Sequence, residues 1–205
     1  MTTIHREAIE WCDMWIRSAD RSGLPRALFV GDSVTRGYYS TAEQILSPTA
    51  ACARLATSRF VSDPVYHQEL ALVLNQYRFQ VIHFNNGLHG WDFSEADYAD
   101  GLQRTIEVLR RLAPGAALVW AHSTPIRRSG DLTNFDPRHA RIVERNRLAS
   151  VIMADLGIPV DDLFTSALNQ LSWFSNDGIH YTTEGCARLG EQAAASVMPL
   201  LPATG

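Results

Sequence analysis

The stretch Ala27-Leu28-Phe29-Val30-Gly31-Asp32-Ser33 constrains the fold of this chain more than any other. Four apolar residues in a row suit a strand buried on both faces, as in a parallel sheet, and Gly31 lets the backbone turn where a Cβ would clash. Ser33 then stands at the carboxyl end of that strand, the edge at which open parallel α/β sheets bind ligands. Taken alone, Gly-Asp-Ser also reads as an ordinary helix N-cap, since serine and aspartate are both favoured there. A distant block weighs against that reading. Ser175-Asn176-Asp177-Gly178-Ile179-His180 sets a carboxylate and an imidazole three positions apart just before a helical pattern, so the serine has a candidate base and a candidate orienter.

The rest of the chain alternates strand and helix signals. A helix is expected from Ile4 to Ala19, where Ile9, Cys12, Ile16 and Ala19 recur at helical spacing. After the serine turn come a short helix over Thr41–Ile45, a strand over Ala51–Ala56, a helix over Pro64–Tyr77 and a strand over Val81–Phe84. A helix over Ser94–Leu112, a strand over Ala116–Ala121 and an irregular loop over Ile126–Phe135 follow, the loop lying over the site. The helix expected over Arg138–Leu156 carries Asn146 on its apolar stripe, which predicts a buried, hydrogen-bonded amide. A strand over Gly157–Val160 and a helix over Thr182–Leu201 close the pattern. This rhythm predicts a single domain over residues 1–205, an α/β protein built as a three-layer α/β/α sandwich around a mostly parallel five-stranded sheet.

Charge and cysteine usage narrow the function. The 18 basic and 22 acidic residues are interspersed and give a net charge of −4, so there is no electrostatic footprint for nucleic acid or an anionic membrane. Small neutral substrates are the expectation. Cys12, Cys52 and Cys186 stand far apart within apolar patterns and read as buried free thiols, not as a disulfide or zinc framework. No His-Glu-x-x-His spacing occurs, so no metal site is expected. Arg6, Glu7, Glu10 and Asp13 interrupt the region where a signal peptide needs an apolar run, which leads us to expect a cytoplasmic protein with no membrane span.

A serine hydroxyl is a poor nucleophile until an imidazole takes its proton and a carboxylate fixes the imidazole tautomer. Ser33, His180 and Asp177 fit those roles. Donors to the oxyanion of acyl transfer are available in the Ser33 backbone N–H and in the amide of Asn85 or Asn86, which follow the strand ending at Phe84. The pattern is not the nucleophile elbow of the α/β-hydrolases, because no glycine stands two positions after Ser33.

Three separated blocks resemble the SGNH or GDSL-like hydrolases: Gly31-Asp32-Ser33, Asn85 with Gly87, and Asp177-Gly178-Ile179-His180. The resemblance implies a flavodoxin-like sheet, a serine nucleophile with histidine base and aspartate partner, esterase or lipase activity on small acyl esters, and no metal or organic cofactor. Phe84-Asn85-Asn86-Gly87-Leu88-His89 is further similar to a subgroup linked to carbohydrate deacetylation, which implies an acetylated carbohydrate as substrate. One departure concerns the oxyanion. The family's glycine after the second strand has no counterpart, since no glycine occurs from Tyr38 through Asn86, and the Ser58 N–H is the expected substitute. In the asparagine block Gly87 stands where a stricter spacing would put the amide, and Asn85 is favoured over Asn86.

Asp32 is expected to cap the helix that follows it, and His83, inside a strand, to be a core histidine. His89 and His122 fall in loops at the edge that carries Ser33, within reach of a substrate. Trp91 and Trp173, with Phe174, read equally as a platform for a sugar ring and as packing. The same catalytic residues would serve an acyltransferase, or a lipase or thioesterase with longer acyl preference. A non-catalytic binding domain is the remaining alternative.

Overall fold

The computed structural model of the chain describes residues 5–21 and 23–202. Along it come β1 (Cys12–Ile16), β2 (Arg26–Gly31), α1 (Ser33–Leu46), β3 (Ala51–Thr57), α2 (Pro64–Leu74), β4 (Val81–Phe84), α3 (Glu95–Leu112) and β5 (Ala117–Ala121). A hairpin of β6 (Arg127–Arg128) and β7 (Asp131–Phe135) follows, then α4 (His139–Leu156), β8 (Val160–Asp161), α5 (Leu163–Leu168) and α6 (Thr183–Val197). The main sheet has the order β1-β3-β2-β4-β5-β8, with every pair parallel except β1 with β3. Four of the five expected strands are present, the fifth shifts from Gly157–Val160 to Val160–Asp161 because Gly157 caps α4, and β1 adds a sixth.

Burial on both faces explains why β2 is apolar without interruption. Leu28 and Val30 point to one side, where they meet Leu70 of α2, Leu102 of α3 and Met153 of α4. Ala27 and Phe29 point to the other, against Tyr38 of α1 and Leu189 and Ala193 of α6. Helices on both faces thus cover the sheet, the architecture that alternating strands and helices dictate.

The expected N-terminal helix is replaced by a strand; Ile4 lies outside the described residues. Within β1, Met14 and Ile16 pack against the core while Trp15 is exposed, a period of two that the helical reading of Ile9, Cys12 and Ile16 overlooked. Pairing from Cys12↔Thr57 to Ile16↔Ala53 covers the edge of β3, whose backbone groups would otherwise lie open, and Asp13 meets Arg54 across the pair at 2.5 Å. Cys12 is consequently exposed and not buried, whereas Cys52 is buried and Cys186 half-buried; all three are free thiols. The stretch expected as an irregular loop over Ile126–Phe135 is instead the β6–β7 hairpin, and the short helix over Thr41–Ile45 is part of the longer α1. The last helix stops at Val197, and a 3-10 turn covers Met198–Leu200. No helix among the described residues is long and apolar enough to cross a membrane.

Candidate active site

The turn after β2 places Ser33 at the first position of α1. Gly31 makes this possible by close approach: an added Cβ would lie 2.8 Å from the Thr35 Cβ. Asp32, buried, caps α1 by accepting the Val34 N–H at 2.8 Å, so the aspartate and not the serine serves as the cap. The Ser33 hydroxyl is thereby left for other partners.

The opposite wall is the loop from Ser175 to His180. A bridge between Phe174 and Tyr181 closes its base, and inside it the Ser175 N–H donates to the His180 carbonyl at 2.9 Å. Asp177 Oδ1 accepts the N–H groups of Ile179 and His180, each at 2.8 Å, and the Ser175 hydroxyl at 2.9 Å. Gly178 adopts φ +75°, the left-handed region that favours glycine, and its carbonyl accepts the Arg127 N–H of the hairpin at 2.7 Å. The hairpin therefore braces the loop from outside.

Ser33, His180 and Asp177 meet between these walls. The Ser33 hydroxyl lies 2.8 Å from His180 Nε2, and His180 Nδ1 donates to Asp177 Oδ2 at 2.7 Å. Burial works against the Asp177 charge, but the His180 ring N–H, the two backbone N–H groups and the Ser175 hydroxyl outweigh it and hold the carboxyl far below the usual carboxylate range. An ionised Asp177 fixes the proton of His180 on Nδ1, so Nε2 presents its lone pair to the serine. The His180 and Asp177 side chains are about half exposed, at 47 % and 49 %. The arrangement can generate a serine alkoxide in contact with solvent.

A second chain of serine, histidine and carboxylate lies nearby, and its chemistry differs. His122 Nε2 is 2.8 Å from Ser150 Oγ, and Nδ1 is 3.0 Å from Asp162. Ser150, however, donates its hydroxyl proton to the Asn146 carbonyl within α4 at 2.8 Å, so none remains for a base. Asn146 is the expected buried amide, satisfied by the Ser123 N–H at 2.9 Å and the Ser123 carbonyl at 2.8 Å. His83 is a core histidine as expected, bound to Asp161 at 2.9 Å.

Two expected oxyanion donors make hydrogen bonds of their own within the fold. The Asn85 amide donates to the Ala121 carbonyl at 2.7 Å and the Ser123 hydroxyl at 3.1 Å, tying the loop after β4 to the one after β5. The Ser58 N–H donates to the Trp11 carbonyl at 3.1 Å, a bond that exists because the chain before β1 runs alongside β3. Asn86 donates to the Arg59 carbonyl at 2.7 Å. Trp91 packs among arginines: the guanidinium carbons of Arg145, Arg138 and Arg141 lie 4.9, 5.0 and 5.7 Å from its ring centre. Trp173 is half-buried against the start of α6, where its carbonyl accepts the Thr182 N–H at 2.7 Å, and Phe174 is buried.

Residues that the sequence did not single out shape the loop after β4. Arg145, fully buried, donates to the carbonyls of Gly87, His89 and Gly90 at 2.9, 2.7 and 3.0 Å. Arg141, one turn earlier on α4, reaches the carbonyls of Trp91 and Phe93. The signal was available, since Arg145 lies three residues after Ile142 and four before Ala149 on the buried stripe. Glu7 holds His89: Nδ1 is 3.0 Å from both carboxylate oxygens, and the Gly90 N–H donates to the same group at 3.2 Å. Among the described residues no group of three or more His, Cys, Asp or Glu side chains is arranged to hold a metal ion.

No protein-family model matches the chain, and no curated protein is similar to it in sequence. Solved structures are. A lipase/acylhydrolase from Enterococcus faecalis superposes with a TM-score of 0.67 at 15% identity, covering 87% of this chain and 98% of its own. An M. smegmatis aryl esterase gives 0.68 at 18% identity, over 86% and 100% of the two chains. A GDSL-like lipase from Parabacteroides merdae gives 0.64 at 14% identity, over 86% and 96%. The fold is that of the GDSL-like hydrolases. On this GDSL-like fold the carboxyl ends of β2, β3 and β4 and the loop before α6 converge on one edge of the sheet, and Ser33, His180 and Asp177 sit there.

Proposed function

We propose that the chain is a serine carboxylic-ester hydrolase that acts on small acyl esters, acetylated carbohydrates among them. One observation carries the reading: the unbroken Ser33–His180–Asp177 chain, with links of 2.8 and 2.7 Å, at the ligand-binding edge of a parallel sheet. Ser33 Oγ adds to the ester carbonyl carbon while its proton passes to His180 Nε2 and the carbonyl π pair moves to oxygen. Collapse of the tetrahedral adduct expels the alcohol, which takes the proton from His180 and leaves an acyl group on Ser33. Water then repeats the sequence and frees the acid. The half-exposed site admits water as acyl acceptor, which favours hydrolysis over transfer.

The acetyl preference has separate support. A small cleft closed in by Val34, Tyr38, Leu88 and Leu163 lies next to the first turn of α1; as the acyl pocket it would leave extra methylenes little room and no burial to gain. A solved structure of the same fold at 15% identity is a carbohydrate acetylesterase from Sinorhizobium meliloti, and another at 14% is an acetyl xylan esterase. The test is kcat/KM on acetyl, butyryl and octanoyl esters of one alcohol, with Ser33→Ala alongside. We expect Ser33→Ala to fold and to lose turnover, and efficiency to fall with acyl length. Wild-type turnover in Ser33→Ala refutes the mechanism, and an octanoyl preference refutes the substrate class.

A further inference from the structure

The first turn of α1 carries one more polar side chain beside Ser33, that of Arg36. The Arg36 N–H donates to the Asp32 carbonyl at 2.9 Å, so Ser33 and Arg36 stand three positions apart within one helical turn. Residues at that spacing share a helix face with Cβ atoms about 5–6 Å apart, and helical side chains lean back toward the N-terminus. Arg36 therefore leans toward the turn that presents Ser33. Ser33 is half-buried and Arg36 exposed, while Val34 and Thr35 between them are buried.

Trp11 fixes where the guanidinium lies. The Trp11 backbone N–H donates to Ser58 Oγ at 2.9 Å and its carbonyl accepts the Ser58 N–H at 3.1 Å, which pins Trp11 just past the carboxyl end of β3. The Arg36 guanidinium carbon sits 5.1 Å from the Trp11 ring centre, so the side chain reaches from α1 to the β3 flank of the ligand-binding edge. His180 meets Ser33 from the other flank, because α1 packs on β2 and β3 whereas α6, which follows the His180 loop, packs on β4, β5 and β8. An arginine that only solvates the surface extends into water. This one lies on an indole face, which holds a cation and leaves its N–H donors free. Among the described residues Arg36 has no carboxylate partner, whereas Arg17, Arg54 and Arg59 on the same flank are bound to Glu43, Asp13 and Glu10.

We propose that Arg36 binds the carboxylate of an anionic substrate, a small ester whose alcohol portion carries a negative charge. The proposal rests on the ester-hydrolase reading and deepens it. An acetyl group has no charge, so the anion belongs to the alcohol. A guanidinium offers two parallel donors that match a carboxylate, and the Trp11 face holds that fork in place before the substrate arrives. The net charge of −4 on the whole chain bears little on this contact, because salt screens charges beyond about 8–10 Å.

The experiment measures kcat/KM on 3-acetoxybenzoate and 3-acetoxybenzamide, a pair of like shape that differ in charge, each divided by its hydroxide-catalysed rate constant. Wild type, Arg36→Gln, Arg36→Lys, Arg104→Gln and Ser33→Ala are compared. Arg104, exposed on α3, is the control for net charge. Wild type should favour the benzoate by about three- to tenfold, the worth of a partly exposed charge-assisted pair. The preference should shrink as sodium chloride rises from about 20 to about 500 mM. Arg36→Gln should abolish it through a raised KM for the benzoate, Arg36→Lys should keep part of it because the charge stays and the fork is lost, and Arg104→Gln should keep it whole. The proposal is overturned if wild type shows no preference or favours the amide, if Arg36→Gln keeps the preference, or if Arg104→Gln loses as much of it as Arg36→Gln. A wild type inert toward both esters, or turnover by Ser33→Ala, would instead overturn the hydrolase reading on which the proposal stands. Should Arg36→Gln fail to fold, Arg36→Lys and the salt series decide: an undiminished preference in both overturns the proposal.

Discussion

Replacing Gly178 by alanine tests how tightly the base and its orienter are held. The backbone there sits at φ +75°, and a Cβ would come within 2.7 Å of the Arg127 carbonyl carbon, which belongs to backbone and cannot rotate away. A left-handed residue with a Cβ costs about 1–2 kcal/mol, and losing the bond from the Arg127 N–H to the Gly178 carbonyl adds about 1 kcal/mol. The total of about 2–3 kcal/mol lowers Tm by roughly 4–12 °C in a chain of this size. The loop can relieve the collision only by moving Asp177 and His180 relative to Ser33, and a shift of about 1 Å costs on the order of 10²-fold in turnover. Gly157→Ala is the control, since Gly157 has φ +65° with nothing within 4 Å of the added Cβ. It should show the strain in Tm and no loss of kcat. Calorimetry and initial rates on an acetyl ester, both below the transition, measure the pair. The reasoning fails if Gly178→Ala loses no more Tm than Gly157→Ala and keeps full kcat.

Asp177→Asn removes the group that sets the His180 tautomer, and kcat should fall by about 10²–10⁴-fold while the fold persists; full activity would reassign the orienter. Because the folded chain holds Asp177 ionised well below the ordinary carboxylate range, its contribution to stability is complete above a pH of about 4 and is lost as pH falls toward the lowered folded value. Tm against pH should therefore drop less steeply on the acid side in Asp177→Asn, and an identical acid branch would contradict this. Asn85→Ala leaves the buried Ala121 carbonyl without its donor, at about 1–3 kcal/mol. It should lower Tm, and its kcat decides the oxyanion assignment: a loss of about 10²-fold or more keeps Asn85 as a donor, and a change within a few-fold removes it.

The parts of the site that were legible in the sequence are those whose signal is local. Ala27 to Ser33 shows strand, turn and hydroxyl in seven residues, and Asp177 to His180 shows turn, carboxylate and imidazole in four. The geometry joins them across a separation of 147 residues. What escaped depends on partners distant in the chain and lacking a periodic mark. Glu7 meets His89 across 82 residues, and in sequence it is one more charged position in a stretch whose spacing fits helix and strand alike. The β6–β7 hairpin reads as loop because Asp131-Leu132-Thr133-Asn134-Phe135 buries neither face and so carries no alternation. Asn85 stands at the sheet edge as its place after the third expected strand implies, and its bond to the Ala121 carbonyl escaped because strand order alone brings that carbonyl within reach.

The 147-residue span between nucleophile and base also orders events during synthesis. On the proposed mechanism a chain extended through β5 holds Ser33 on a strand end with no base to deprotonate it, and it should be inert toward esters. The proposed triad is complete only with the last helix, when α6 docks beside α1 and carries the preceding loop onto Ser33. The same dependence runs in reverse: fraying of α6 from the finished molecule silences the site while β2, β4 and β5 remain paired, so loss of activity on heating should precede loss of the sheet.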